Sequence, residues 1–276
     1  MTLFDPPEGE DLGPRLRGDT CRVRLVVAYD GAGFHGFAVN FGVRTVGGVL
    51  TDALTTVLGH PVEITCAGRT DKGVHARAQV VTFDALADRI DPVALGRSLN
   101  SICGPEVAVT AVDVVDDGFD ARFSATARRY RYRVVNRPAP DPFRVRYSWH
   151  VDDELSWPAM TLACDALIGE HDFSAFCRRP KRRDGEEASL VRRVVEARWV
   201  REGDDELLFE IEASSFCHQM VRSVVGLLVD VGRGRKRAGD VLPIIRSQDR
   251  SRAGNIAPPQ GLTLWTVRYP GWSSDS

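Results

Sequence analysis

The chain has 276 residues, of which 43% are hydrophobic and 27% are charged, and its formal net charge is −2. These proportions predict a soluble globular protein built as one large domain or two modest ones. No apolar run is long enough to cross a bilayer, and the first residues lack the basic-then-apolar pattern of an export signal. We therefore expect a cytoplasmic protein with no membrane segment.

The first half of the chain alternates strand-like and helix-like segments. Alternation of apolar and polar residues predicts the strands, and apolar stripes that follow the capping residues Thr45 and Asp91 predict the helices. The order β-α-β-β-α-β is that of the ferredoxin-like unit. In chain order these segments are strand 22–28, helix 45–58, strands 61–67 and 78–83, helix 91–101 and strand 106–115.

The second half repeats this pattern with negligible sequence identity to the first. Its segments are strand 127–135, helix 156–168, strands 191–200 and 206–213, helices 216–231 and 238–247, and strand 261–269. We predict an α+β fold of two related βαββαβ halves, whose antiparallel sheet has helices on one face. The expected divisions are a flexible tail 1–20, an N-terminal half 21–118 with the catalytic residue, a C-terminal half 119–270 and a tail 271–276.

Cysteine spacing and local charge narrow the function classes. The six cysteines include no C-x-x-C pair, so they predict neither a zinc site nor a redox dithiol, and we expect free buried thiols. The low net charge argues against a nucleic-acid partner. Three basic runs, at 128–133, 178–183 and 233–237, favour a polyanion instead.

The stretch AGRTDKGVHA (67–76) joins two predicted strands and holds more charge than a turn requires. A structural interpretation needs only the glycines and an aspartate that bonds its own loop. Arg69 and Lys72 flank Asp71, however, and nearby positive charge favours the ionised carboxylate. Asp71 is therefore a candidate nucleophile or base. His75 and Asp71 alone make no metal-ligand set, and we expect His75 to be structural.

Two other segments carry candidate side chains. Tyr130 and Tyr132 share one face of their predicted strand, and Arg129, Arg131 and Arg133 share the other. A tyrosine beside the site would stack on a base. Arg222 lies away from the apolar face of its predicted helix, so it is either a solvated arginine or one aimed at an anion across the groove expected between the two open sheet faces.

With these residues in view, the chain resembles the tRNA pseudouridine synthase A family, the tRNA pseudouridine(38–40) synthases. Seven motifs match in order over nearly the whole chain, and the match of GRTD-x-GVHA is highly specific. They are YDG-x-x-F-x-G at 29–36, TV-x-G-x-L at 45–50, AGRTDKGVHA at 67–76, ARFSATARRYRY at 121–132, HDFSAF at 171–176, HQMVRSVVG at 218–226 and APPQGLTL at 257–264. The chain departs from the family pattern at 37–40, Asp120, Cys217 and 255–256.

The resemblance implies isomerisation of uridine to pseudouridine in the anticodon stem-loop of tRNA, without cofactor or metal, by a homodimer. It implies that Asp71 is the essential catalytic residue, that Tyr130 is the active-site tyrosine and that Arg222 is the partner of the aspartate. Leu262 matches a leucine that lines the uracil pocket. We further expect RNA contacts from Arg69, Lys72, Arg128 and Arg129.

The residues by themselves leave alternatives open. Asp71 could attack C6 of uracil, attack C1′ of the ribose, or act as a base in a glycal route. Two rival functions are a non-catalytic RNA-binding protein on the same scaffold and a metal-dependent RNA hydrolase that uses Asp71 and His75. The joint presence of Asp71, Tyr130 and Arg222 argues against the first, and the missing ligand cluster argues against the second.

Overall fold

A computed structural model describes residues 18–178 and 189–276. One large sheet holds the strands of this part of the chain, which are β1 (Thr20–Tyr29), β2 (Thr65–Cys66), β3 (His75–Leu86), β4 (Val107–Val115), β5 (Ala127–Asn136), β6 (Trp149–Val151), β7 (Gly169–Asp172), β8 (Val191–Arg201), β9 (Glu206–Ala213), β10 (Leu262–Tyr269) and β11 (Trp272–Ser273). The α-helices of the described residues are α1 (Val46–Leu58), α2 (Pro92–Cys103), α3 (Trp157–Cys164), α4 (Met220–Gly232) and α5 (Val241–Ser247).

The sheet contains the same strand arrangement twice. Its main order is β4-β1-β3-β10-β5-β9-β8-β7, with β2 on β3, β6 on β5 and β11 on β10. In each βαββαβ unit the strands therefore lie in the order fourth, first, third, second: β4-β1-β3-β2, then β10-β5-β9-β8. The predicted α+β fold class is confirmed, and both halves show the same strand order, as the predicted repeat requires. The sheet is continuous, and the predicted domain boundary after residue 118 stays a prediction.

The two units join where β3 and β10 run parallel, with Thr263 opposite His75 and Leu264 opposite Ala76. This pairing differs from the expected antiparallel sheet, as does the short parallel pair β5–β6. The parallel pairing of β3 with β10 also explains why the predicted strand 61–67 forms only at Thr65–Cys66. Because β10 occupies the start of β3, β2 meets β3 only at Val81 and Thr82.

Side-chain capping bonds set the starts of the first two helices at the predicted residues. Thr45 Oγ1 accepts the N–H of Gly48, and Asp91 Oδ1 accepts the N–H groups of Val93 and Ala94, so both predicted caps are confirmed. The predicted helix 216–231 begins later, at Met220, because Gln219 takes a left-handed backbone with φ of 68°. Residues 216–219 instead form a loop beside the sheet.

The faces of the sheet differ sharply. Buried side chains of alternate strand residues, including Leu25, Tyr132 and Phe209, pack with the apolar faces of the helices in one core. The opposite face carries arginine–carboxylate pairs such as Arg131–Glu210. Arg129, Arg131 and Arg133 share this face, as the alternation predicts.

One expectation about the cysteines is wrong. Cys177 and Cys217 form a disulfide, with their Cα atoms 5.7 Å apart. The fold brings the residue after the turn Ser174–Phe176 against the loop that precedes α4, although 40 positions separate the two cysteines. The remaining four cysteines are free thiols.

Candidate functional site

The catalytic candidate lies in a loop that is held from several sides. Gln79 on β3 bonds both the N–H and the carbonyl of Gly68, and the N–H of Phe37 donates to the carbonyl of Thr70. The N–H of Val74 donates to the carbonyl of Asp71, closing a turn in which Gly73 takes φ of 79°. Such a turn requires positive φ at its third residue, which glycine adopts without strain. The backbone under Asp71 is therefore fixed.

Arg222 on the first turn of α4 contacts the carboxylate of Asp71. Its Nη1 donates to Asp71 Oδ2 at 3.2 Å, and its Nε donates to the carbonyl of Ala257 at 2.8 Å. The second bond fixes the guanidinium, and the N–H of Ala257 returns a bond to the carbonyl of Arg222. The geometry brings together two residues that are 151 positions apart.

His218, which the sequence reasoning missed, contacts the other oxygen. Its Nε2 lies 3.1 Å from Asp71 Oδ1, and its side chain is 47% exposed, whereas that of Asp71 is 21% exposed. His218 belongs to the HQMVRSVVG motif, in which the sequence analysis assigns a role to Arg222 alone. Its position four residues before Arg222, in the loop that leads into α4, was the available signal.

The surroundings of Asp71 favour the ionised carboxylate. Burial raises its pKa, but the hydrogen bond and charge of His218, together with the charge and hydrogen bond of Arg222, outweigh burial. The pKa of Asp71 therefore lies below its ordinary value. At neutral pH the site holds a half-buried carboxylate whose two oxygens each have a nitrogen partner.

Tyr130 is buried on β5, on the side of the sheet that faces this loop. A Cβ on Gly68 would lie 3.7 Å from its hydroxyl oxygen, and the ring of Phe216 meets it edge-on at 5.0 Å. Burial is the main cause that raises the pKa of Tyr130, with Asp71 adding to the rise. The phenol is therefore neutral at physiological pH, which suits stacking better than proton abstraction.

Leu262 begins β10 and is buried. The register pairs it with Tyr132, and it pairs Leu264 with Tyr130. Since directly paired residues of antiparallel strands project to one face, Leu262 shares the face of both tyrosines. Its contact with uracil stays a prediction.

The predicted RNA-contacting residues separate into two kinds. Arg69 and Lys72 are exposed on the loop of Asp71. Arg128 is 8% exposed beneath that loop, and Arg129 projects from the opposite face of the sheet, where it bonds Glu196 and Glu212. The structure thus brings Arg69 and Lys72 to the loop of Asp71, whereas Arg128 lies beneath that loop and Arg129 lies on the opposite face of the sheet.

The guanidinium of Arg128 is fully engaged by the protein. Its five N–H groups donate to four backbone carbonyls, at distances from 2.7 to 3.2 Å. These contacts favour a structural role beneath the catalytic loop. The carbonyls belong to Ala67, Arg122, Ala125 and Ser214.

His75 is buried, and its Nδ1 accepts the N–H of Gly31 at 3.0 Å. Burial is the largest influence on its pKa and lowers it. These contacts agree with a structural histidine. No group of three or more His, Cys, Asp and Glu side chains within 18–178 and 189–276 has metal-site geometry. Across the same residues, no helix has the length and apolar character to span a membrane.

Two basic runs are mostly paired with acids. In the run 128–133, Arg131 and Arg133 pair with glutamates, and in the run 233–237, Arg233 pairs with Asp153. Of the run 178–183, Arg178 is described and 179–183 lie outside the described residues.

The comparison with known families identifies the class of enzyme to which this fold and this site belong. A family model described as tRNA pseudouridine synthase matches residues 25–124 and 163–270, which include Asp71 and Arg222. The chain belongs to the tRNA pseudouridine synthase family, whose members are isomerases that act on uridine in tRNA.

Curated relatives agree over most of the chain. A tRNA pseudouridine synthase A of Methylobacterium sp. (strain 4-46) is 43% identical over 251 residues, covering 90% of this chain and 98% of the relative. One of Frankia casuarinae is 42% identical over 257 residues, covering 90% of this chain and 89% of the relative. Among solved structures, a chain of a Cbf5-Nop10-Gar1 complex aligns with 79% of this chain and 55% of its own, at 10% identity and a TM-score of 0.29, which adds nothing to the assignment.

Proposed function

We propose that the chain isomerises uridine to pseudouridine at positions 38–40 of the tRNA anticodon stem-loop, with Asp71 as the reacting carboxylate and without metal or cofactor. The reaction breaks the bond from N1 to C1′ and forms a bond from C5 to C1′, while C5 loses a proton and N1 gains one. The observation that carries the proposal is the half-buried carboxylate of Asp71, held by Arg222 and His218 on the family's most specific motif.

Each side chain has a defined task in this proposal. Asp71 attacks C6 or C1′, or takes a proton from the ribose, and its lowered pKa keeps it ionised. Arg222 holds Oδ2, so the carboxylate cannot turn away when the target base enters. Tyr130 stacks on the uracil and Leu262 lines its pocket.

The target uridine must leave its stack before it can meet a carboxylate in this loop. Extraction costs a few kcal/mol, which contacts to the RNA backbone offset. The exposure of Arg69 and Lys72 on the loop of Asp71 supports this role for them. In this proposal Arg69 helps to extract the base and Lys72 contacts phosphate. A homodimer, which the family resemblance implies, would bring a second subunit to the same tRNA in the cytoplasm.

Asp71→Ala tests the central assignment. We expect pseudouridine formation in a tRNA transcript to be abolished while tRNA binding persists, because the change removes the reacting group and leaves the RNA surface. The matched control is Asp165→Asn, since Asp165 is an exposed acid far along the chain. Activity of Asp71→Ala within about tenfold of wild type, about 1.4 kcal/mol of barrier, would contradict the assignment.

Tyr130→Phe separates stacking from proton transfer. The ring persists, so we expect binding to be retained and turnover to fall if the hydroxyl takes part in the chemistry. An unchanged rate would exclude the hydroxyl as a required base.

Activity in the presence of a chelator would exclude the metal-dependent hydrolase, and a pseudouridine assay separates the enzyme from a non-catalytic RNA-binding protein.

A further inference from the structure

A cavity of about 550 Å³ lies beside His218 and outside the site described above. It is formed where three parts of the C-terminal half meet: the turn Ser174–Phe176 with the two residues after it, the start of α4, and the segment that follows α5. The residues that line it are Ser174, Cys177, Arg178, Gln219, Gln248 and Arg250.

Among the residues that the structure describes, two cations and no carboxylate line this cavity. Arg178 is exposed and makes no ion pair within the described part of the chain. Arg250 Nη2 donates to Gln219 Oε1 at 2.5 Å, which orients the guanidinium and leaves its other N–H groups for a ligand. The neighbouring Asp172 accepts bonds from Ser174 and Gln248. The side chains on the wall are therefore suited to an anion.

The start of α4 adds to this preference. Gln219 precedes the thirteen-residue helix, takes a left-handed backbone and caps no helical N–H with its side chain. The end of a helix that carries free N–H groups favours negative charge. Since Gln219 also lines the cavity, this end of α4 lies at the cavity wall.

The cavity is coupled to the site by the backbone. The N–H of Arg178 donates to the carbonyl of His218 at 3.0 Å, and the imidazole of His218 contacts Asp71. We propose that this cavity binds the nucleotide next to the target uridine, with its phosphodiester between Arg178 and Arg250. This inference rests on the proposed function, because it takes the strand whose ribose meets Asp71 to continue past His218.

A single phosphate group is too small to fill the cavity, whose volume is in the range of small-molecule sites. Gln219 keeps its amide N–H groups, since its Oε1 accepts from Arg250, and Gln248 keeps its amide oxygen, since its Nε2 donates to Asp172. Such groups bond the edges of an unstacked base. The cavity therefore binds both the phosphate and the base of the flanking nucleotide.

Arg178→Gln and Arg250→Gln test the site, with Arg246→Gln as the matched control. Arg246 is an exposed arginine on α5 that does not line the cavity. The dissociation constant of each folded protein for a tRNA transcript is measured between 50 and 300 mM salt (about the range that resolves the slope), together with KM and kcat for pseudouridine formation. Melting temperatures confirm that the variants fold, and Arg178→Gln carries the test if Arg250→Gln does not fold.

We expect each cavity variant to lower the slope of log affinity against log salt by about 0.7 to 0.9 and to raise KM about tenfold, with kcat nearly unchanged. The control leaves both slope and KM as in the wild type. Unchanged slopes in both cavity variants, or an equal loss in Arg246→Gln, would overturn the inference. If the wild-type protein forms no pseudouridine while the two cavity variants still lower the slope as expected, the proposed function is wrong and the RNA-binding site is supported.

Discussion

Arg128 offers the sharpest test of how the catalytic loop is supported. The residue is 8% exposed, and its five N–H groups donate to four backbone carbonyls, including that of Ala67 at the start of the loop. Arg128→Met keeps much of the side-chain volume and removes every one of these donors. The orphaned carbonyl of Ala67 is buried and costs about 1–3 kcal/mol, and each of the three partly exposed carbonyls costs about 1 kcal/mol, which sums to roughly 4–6 kcal/mol.

Relaxation of the loop and entry of water will reduce that sum, so we expect a loss of about 3 kcal/mol in the free energy of unfolding. For a chain of this size, such a loss lowers the melting temperature by roughly 10 °C. Arg128→Lys keeps the charge but has fewer donors, and we expect a smaller loss. Thermal unfolding followed by circular dichroism measures all variants.

Arg129→Met is the matched control, because Arg129 lies next to Arg128 on the same strand and was also expected to contact RNA. It is 20% exposed, and Arg268 Nε also donates to its partner Glu212, at 2.9 Å. We therefore expect a loss of about 1 kcal/mol or less. If Arg128→Met melts within about 2 °C of the wild type while its tRNA affinity falls more than tenfold, Arg128 contacts RNA and the structural interpretation is wrong.

Two further predictions follow from the clamp on Asp71 and from its support. Arg222→Gln removes a charge that lowers the pKa of Asp71 while burial, which raises it, remains. The acid limb of kcat/KM should therefore move toward neutral pH, and the stability that the ionised carboxylate contributes above its unfolded pKa should shrink. A pH profile unchanged by the substitution would refute this. Gly226→Ala would place a Cβ 1.8 Å from the carbonyl oxygen of Asn255. Displacement of that segment, whose Ala257 bonds Arg222, should cost about 1–3 kcal/mol of stability and lower kcat. Gly239→Ala, which meets nothing within 4 Å, should change neither.

The sequence predicted the repeated element order, because each element depends on neighbours along the chain. Thr45 and Asp91 cap their helices through bonds to residues two or three positions ahead. The strand Glu206–Ala213 forms over the predicted residues, with Leu207, Phe209 and Ile211 recurring at every second position. The late start of α4 and the two-residue β2 were missed, since the first depends on one backbone angle and the second on which strand occupies the edge of β3.

The candidate site divides in the same way. The local motif around Asp71 and the resemblance to the family were enough to select Asp71, Tyr130 and Arg222. The sequence could not reveal the contact of His218 with Asp71, the burial of Arg128 beneath the loop, or the bond between Cys177 and Cys217. These depend on contacts between residues far apart in the chain. Only the joining of the two units through β3 and β10, with Arg222 of α4 brought to Asp71, determines which charged groups meet and which are buried.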